Sequence, residues 1–250
     1  MTKVLMCICC ALLLHTSIHA QELSATEIIQ KATENKQGES LYSEVKMTII
    51  RPTWTREVGL KTWAKGEKYS LAVVTSPAKD RGQAFLKREK DLWNWIPSID
   101  RMVKMSSSVM GQSWMGSDFT NDDIIRQASK IEDFKHTLEK TEKIREFDCY
   151  KIVLIPNEHT AVVWGKIIVW ISKTDFIEVK SEFYDEDQVL VNTYNAYDLK
   201  KFGDKKIPSR IEVIPADKPD QKTVLTILKN EINKPINDSF FSQQNMKKVR

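Results

Sequence analysis

Residues 77–123 read PAKDRGQAFLKREKDLWNWIPSIDRMVKMSSSVMGQSWMGSDFTNDD. Trp93 and Trp95 stand two apart, so they project from the same face of any strand they occupy. Met102, Met105, Met110 and Met115 follow among serines and glycines. Flexible thioethers beside large aromatics suit a surface that accepts an apolar guest of variable shape. The same tryptophans equally suit an ordinary core, where most buried tryptophans sit. At the end of the stretch, Thr120-Asn121-Asp122-Asp123 puts a cap and two carboxylates at the positive end of a helix, which Ile124, Ile125 and Ala128 continue.

Outside this stretch the dominant signal is alternation. Val45, Met47 and Ile49 share one face, with Glu44, Lys46 and Thr48 on the other; Val58, Leu60 and Thr62 repeat the pattern up to Lys65-Gly66. Further strands are expected at 67–76, 83–88, 90–96, 101–105, 136–145, 148–155, 161–172, 176–184, 188–198, 207–214 and 222–231. Turn residues separate them at Pro77 to Gly82, Glu146 to Asp148, Lys173 to Asp175, Asp185 to Asp187, Gly203-Asp204 and Pro215 to Pro219. Strand 161–172 is apolar on both faces: Val163, Ile167, Val169 and Ile171 on one, Trp164, Ile168 and Trp170 on the other. A helix covering its outer face explains this better than an exposed docking patch. Ser24-Ala25-Thr26-Glu27 is a capping box that opens such a helix, with Ile28, Ile29 and Ala32 on its apolar stripe and Gly38 as its stop. Many short strands and few helices predict an antiparallel meander curled into a sandwich, barrel or half-barrel, mainly β within the α+β class. With no long linker or repeat, residues 21–250 read as one domain.

Residues 1–20 have the layout of a secretory signal peptide: Lys3, the apolar run Val4 to Leu14, and Ile18-His19-Ala20 before Gln21. That run is far shorter than the roughly 20 residues a membrane span needs, so an exported, periplasmic protein is expected. Cys7, Cys9 and Cys10 leave with the leader, unless Cys10 is a lipidation site, and Cys149 alone has no disulfide partner. The formal charge is +4, with 38 basic and 34 acidic residues. This is a mixed surface that argues against nucleic acid as a partner. The basic tail Lys247-Lys248-Val249-Arg250 reads as a frayed end.

No catalytic set is visible. Gly111-Gln112-Ser113-Trp114-Met115 begins like a nucleophile elbow but ends in Met where Gly is required, and His136 and His159 lie in β-rich sequence. Asp118, Asp122 and Asp123 lack the spacing and glycine turn of a calcium loop, and two isolated histidines with one cysteine make no zinc set. Neither metal nor cofactor is expected, and the chain reads as a non-enzyme.

The segment Asp91-Leu92-Trp93-Asn94-Trp95-Ile96-Pro97, then Arg101 and Lys104, then Gly116-Ser117-Asp118-Phe119-Thr120 with Asp123, resembles the exported outer-membrane lipoprotein-sorting protein family, relatives of the periplasmic carrier LolA. Pro77, Gly82, Phe85 and Leu86 fit the same pattern. The resemblance covers essentially the whole mature chain, with its specific motifs at about 77–123. It implies an incomplete antiparallel β-barrel whose concave face is closed by helices. It also implies carriage of the acyl chains of a lipid or lipoprotein between inner and outer membranes. The implied partners are an inner-membrane exporter of ABC or RND/MMPL type and an outer-membrane acceptor. Leu71, Val73, Leu86, Trp93, Trp95, Met115 and Phe119 are the expected cavity lining. Segment 106–128 is the expected lid, with Met110, Trp114, Gly116, Ser117, Asp118, Thr120 and Asp123. The family's functional arginine falls on Arg51 or Arg56, with nothing local to choose between them. The competing function is a non-catalytic envelope module that senses or binds a membrane protein complex.

Overall fold

The computed structural model describes residues 22–89, 91–126, 130–160 and 162–249. The expected signal peptide and the helix continuation at Ala128 lie outside the described residues. Ser24 Oγ accepts from the Glu27 backbone N–H at 3.3 Å, and the Glu27 carboxylate accepts from the Ser24 N–H at 2.8 Å. This reciprocal cap starts α1 (Ala25–Gln37), and Gly38, at φ +57°, ends it.

Thirteen strands follow: β1 (Ser40–Arg51), β2 (Trp54–Lys65), β3 (Tyr69–Ser76), β4 (Ala84–Arg88), β5 (Asp91–Ile96), β6 (Arg101–Lys104), β7 (Phe134–Ile144), β8 (Phe147–Pro156), β9 (Lys166–Ser172), β10 (Glu178–Tyr184), β11 (Leu190–Phe202), β12 (Lys205–Pro215) and β13 (Lys222–Ile232). They form one antiparallel sheet in the order β6-β5-β4-β3-β2-β1-β13-β12-β11-β10-β9-β8-β7. Every neighbour is a hairpin neighbour except β1 and β13, which join the first and last strands at the centre. The sheet is open, with β6 and β7 as its two edges. These edges are consecutive in sequence, so the chain between them must travel from one side of the sheet to the other. Topology alone therefore lays the segment after β6 across a face, which is where a lid belongs. Wherever one face is buried, the two-residue period fixes the register.

Two clusters occupy the face that carries α1 and this crossing segment, here called the inner face. One gathers Met47, Ile49, Val58, Leu60, Ala72, Val74, Phe85 and Val213 with Met110, Trp114 and Phe119 of the crossing segment. The other packs Ala25, Ile28 and Ile29 of α1 on Ile152, Leu154, Ile167, Val169, Ile171 and Phe183. The expectation for β9 needs correcting. α1 covers the Ile167/Val169/Ile171 face, and Trp164 joins that side because Gly165 separates it from the strand. Ile168 and Trp170 face the other way, against Cys149, Ile177 and Val179, with Lys180 Nζ 4.5 Å above the Trp170 ring.

The chain end is a second correction. Of the basic tail read as frayed, Lys247 Nζ lies 4.4 Å above the Trp95 ring and Val249 packs against the outer-face cluster, while Arg250 lies outside the described residues. Asn237 and Ser242 each cap a short turn of helix, the second being α2 (Gln243–Met246). Phe241 and Met246 are fully buried on the outer face against Leu71, Val73, Leu86 and Trp95.

Candidate functional site

The crossing segment folds on itself before it packs on the sheet. Trp114 N–H donates to Phe119 O at 2.8 Å, Asn121 N–H to Gln112 O at 2.9 Å, and Asp122 N–H to Met110 O at 3.0 Å. The Ser117 hydroxyl donates to Trp114 O at 2.7 Å and accepts from the Phe119 N–H at 3.2 Å. Residues 110–122 are thus a small hairpin of their own. Its tip carries Met115 at φ +52° and Gly116 at φ +76°, left-handed conformations that Gly adopts freely and Met only under strain. From this hairpin Met110, Trp114 and Phe119 descend into the inner cluster, and each is almost wholly buried. They act as a plug. Trp114 packs edge-on against Phe85, and Phe119 edge-on against Tyr194, both with ring centres 5.3 Å apart.

The tip is tied to the sheet by a polar clasp. Arg51 at the end of β1 grips Asp118 with both terminal nitrogens, at 3.0 and 3.1 Å, and donates to Gly116 O at 3.0 Å. Thr223 Oγ1 donates to Asp118 Oδ2 at 2.7 Å and accepts from the Asp118 N–H at 3.0 Å. Asn192 holds Asp118 O at 3.1 Å. Arg56 also reaches the plug, donating to Met115 O at 3.3 Å while paired with Asp80 at 2.6 Å. Both arginines that sequence could not separate therefore touch it, but Arg51 alone makes the two-pronged pair. Thr223 and Asn192 had no sequence signal, because they come from β13 and β11, distant in sequence and ordinary in type.

At the far end of the plug, Thr120 and Asp123 cap each other: the Thr120 N–H donates to Asp123 Oδ2 at 2.8 Å and the Asp123 N–H to Thr120 Oγ1 at 3.1 Å. Asp122–Arg126 then makes one wide turn of π-type helix. Asp123 also accepts from Tyr194 OH at 2.9 Å and Trp164 Nε1–H at 3.2 Å. No cation is among these donors. Burial pushes the Asp123 carboxyl up from its ordinary value, against the pull of the hydrogen bonds from Thr120, Tyr194 and Trp164.

The seven residues expected to line one cavity do not share one wall. Leu71, Val73, Leu86, Trp93 and Trp95 lie on the outer face under the C-terminal segment, Trp93 only partly buried. Met115 and Phe119 belong to the inner cluster. Period two correctly grouped the β3–β5 residues but did not say which group faced inward. Of the lid residues, Met110 and Trp114 fill the inner face, Gly116 and Asp118 form the clasped tip, and Ser117, Thr120 and Asp123 hold the hairpin together. Ser113 Oγ donates to Ser117 O at 2.5 Å, while His136 is engaged by Thr26 and Lys130 O. Among the described residues no group of three or more His, Cys, Asp or Glu is placed to hold a metal.

Solved structures share this architecture over nearly its full extent. A LolA superfamily protein from Nitrosomonas europaea superposes with a TM-score of 0.78 at 25% identity, covering 89% of this chain and 99% of its own. An outer membrane lipoprotein-sorting protein domain from Vibrio parahaemolyticus gives 0.80 at 20% identity, covering 90% and 98%. A DUF1329 family protein from Desulfovibrio piger gives 0.81 at 20% identity, covering 89% and 97%. A protein-family model described as "Uncharacterized protein" matches residues 66–248. The chain belongs to that family, and it is LolA-like. No curated protein sequence matches it. The LolA-like half-barrel expected from the tryptophan and Gly-Ser-Asp motifs is the observed fold, and its inner face is covered by α1 on one part and by the plug's irregular hairpin on the other. Among the described residues of this LolA-like chain no helix is long and apolar enough to cross a membrane.

Proposed function

We propose that this protein is a non-catalytic periplasmic carrier in which the plug and the acyl chains of a lipid or lipoprotein are alternative occupants of the inner face. Burial of Met110, Trp114 and Phe119 where a half-barrel would hold its cargo carries this reading. Burying one such side chain stabilises by about 1.5–3 kcal/mol, so three give roughly 5–9 kcal/mol. Shielding an acyl chain of about 14 methylenes is worth on the order of 11 kcal/mol. The two are close enough that a lipid can displace the plug and the plug can help expel the lipid.

Two details support a plug that is held but not locked. The Trp114 indole N–H is buried without a hydrogen-bond partner among the described residues, which costs about 1–3 kcal/mol. The polar grip, in turn, lies at the two ends of the plug, in the clasp on Asp118 and in the bonds of Tyr194 and Trp164 to Asp123. An inner-membrane exporter, of ABC or RND/MMPL type, is the donor in this scheme and an outer-membrane protein or leaflet the acceptor. Lipid extraction and mass spectrometry of natively purified protein test the carrier. Stoichiometric acyl lipid is expected. An empty protein that co-purifies with a membrane complex would make it a sensing module instead.

A further inference from the structure

The hairpin of β11 and β12 outruns the sheet it belongs to. β11 pairs with β10 only as far as Asn195, and β12 pairs with β13 only from Arg210 onward. The β11–β12 register nevertheless continues to the pair Phe202–Lys205. Residues 196–202 and 205–209 therefore pair only with each other, as a two-stranded ribbon that overhangs both neighbours. Its base is braced. Arg145, from the turn between β7 and β8, donates to Val179 O at 3.1 Å and to Ala196 O at 2.7 Å. The guanidinium groups of Arg145 and Arg210 lie over the Tyr197 ring, 4.5 and 4.4 Å from its centre. Ser209 Oγ donates to Asp198 O at 2.7 Å. The tip turns through Gly203 and Asp204, with Gly203 at φ +63°, the left-handed conformation that the first position of a two-residue hairpin turn requires.

The tip concentrates one sign of charge. Residues 199–206 read LKKFGDKK, four lysines against the single carboxylate of Asp204. Asp198, next along β11, is already held by Arg210 at 2.6 Å. Among the described residues none of Lys200, Lys201, Lys205 and Lys206 forms an ion pair. Lys201 and Lys206 stand directly opposite each other, and like charges so placed destabilise a hairpin. The arrangement costs the fold stability, and only a negatively charged partner offsets that cost. Phe202, half-buried at the turn, sits among the lysines, opposite Lys205. Lysines around an aromatic are the composition of a segment that lies at a lipid headgroup layer, where ammonium groups meet phosphates and the ring enters the acyl boundary. Lysine-rich strand edges also deter strand addition by another protein, which favours a lipid surface over a β-strand partner.

We propose that this ribbon docks the protein on an anionic phospholipid surface, its four lysines meeting headgroup phosphates and Phe202 entering the interface. The docking rests on the hairpin alone and holds whether or not the inner face carries lipid. The test is sedimentation of the purified protein with vesicles of phosphatidylcholine, with and without phosphatidylglycerol, over a range of salt. Binding should require phosphatidylglycerol and weaken as salt rises. Each lysine near such a surface contributes roughly fivefold, so Lys201→Gln with Lys206→Gln should weaken binding about tenfold or more. The same variant relieves a like-charge pair and should unfold no more easily than the wild type, which separates lost binding from lost fold. Lys201→Arg with Lys206→Arg should bind as the wild type does. Phe202→Ser should weaken binding at every salt concentration. Lys135→Gln with Lys143→Gln, on the exposed edge strand β7, removes the same charge elsewhere and should leave binding unchanged. An equal loss in that control would assign the binding to net charge and overturn the proposal. Equal binding to vesicles without phosphatidylglycerol, or binding to neither, would overturn it too. None of these results bears on the acyl-lipid content of the inner face, which tests the carrier reading separately.

Discussion

Arg51 and Asp118 lie 67 residues apart in sequence and meet in a two-pronged ion pair, with side chains only 12% and 8% exposed. Such a pair is strong only while both partners are present, since removing one leaves the other charge without its complement in a dry place. Asp118→Ala should lower unfolding stability by about 3 kcal/mol, and should raise amide exchange across 110–122 more than in β8 and β9. Denaturant titration and hydrogen exchange read the two effects. A loss below about 1 kcal/mol with unchanged exchange would show that the clasp does not hold the plug.

Trp114 separates the packing of the plug from its unsatisfied donor. Trp114→Ala should cost about 3–5 kcal/mol and open the inner face. Trp114→Phe keeps a ring against Phe85 and removes the orphan N–H, so it should be near neutral or stabilising by about 1 kcal/mol. The tighter plug should then retain less acyl lipid. Thermal unfolding and lipid content of the two variants check this.

Asp123 gives the plug a pH dependence of definite sign. Its folded pKa is raised above the unfolded value by burial, so the ionised carboxyl disfavours the folded state. That penalty is fully present above the raised folded pKa. It is relieved as pH falls through that value toward the unfolded pKa of about 3.9. The stability of the wild type relative to Asp123→Asn should therefore rise on acidification below neutrality and level off near pH 4. A difference that is flat, or that falls, between pH 7 and pH 4 would refute the assignment.

Much of the fold was legible because alternation is a local signal. Every expected strand corresponds to an observed one, with ends displaced by a few residues. The exception is the start of β9, where Gly165 breaks the run that alternation extends back through Trp164. Period two cannot say which of its two faces looks inward, so Trp93 and Trp95 were grouped correctly with Leu71 and Leu86 but joined to Met115 and Phe119, which lie on the opposite face. Pairing of β1 with β13 and the cover by Phe241 and Met246 are long-range and leave no periodic trace. Thr120 and Asp123 were readable as a cap because three-residue spacing is local. Their contacts with Tyr194 and Trp164 were not.

If the inner face holds the cargo, as proposed, the two tryptophans lie outside its wall. Trp95→Ala should destabilise by about 3–5 kcal/mol, as should Phe241→Ala on the segment that covers it. Neither should reduce bound acyl lipid per folded molecule. Loss of lipid from a folded Trp95→Ala variant would return that residue to the cargo wall.

Hydrogen exchange of residues 110–122, with and without a bound acyl lipid, asks most directly whether plug and cargo exclude each other. Lipid should release protection at Trp114, Ser117, Asn121 and Asp122, while α1 and β8–β9 stay unchanged. Bound lipid with the plug as protected as before would contradict the account.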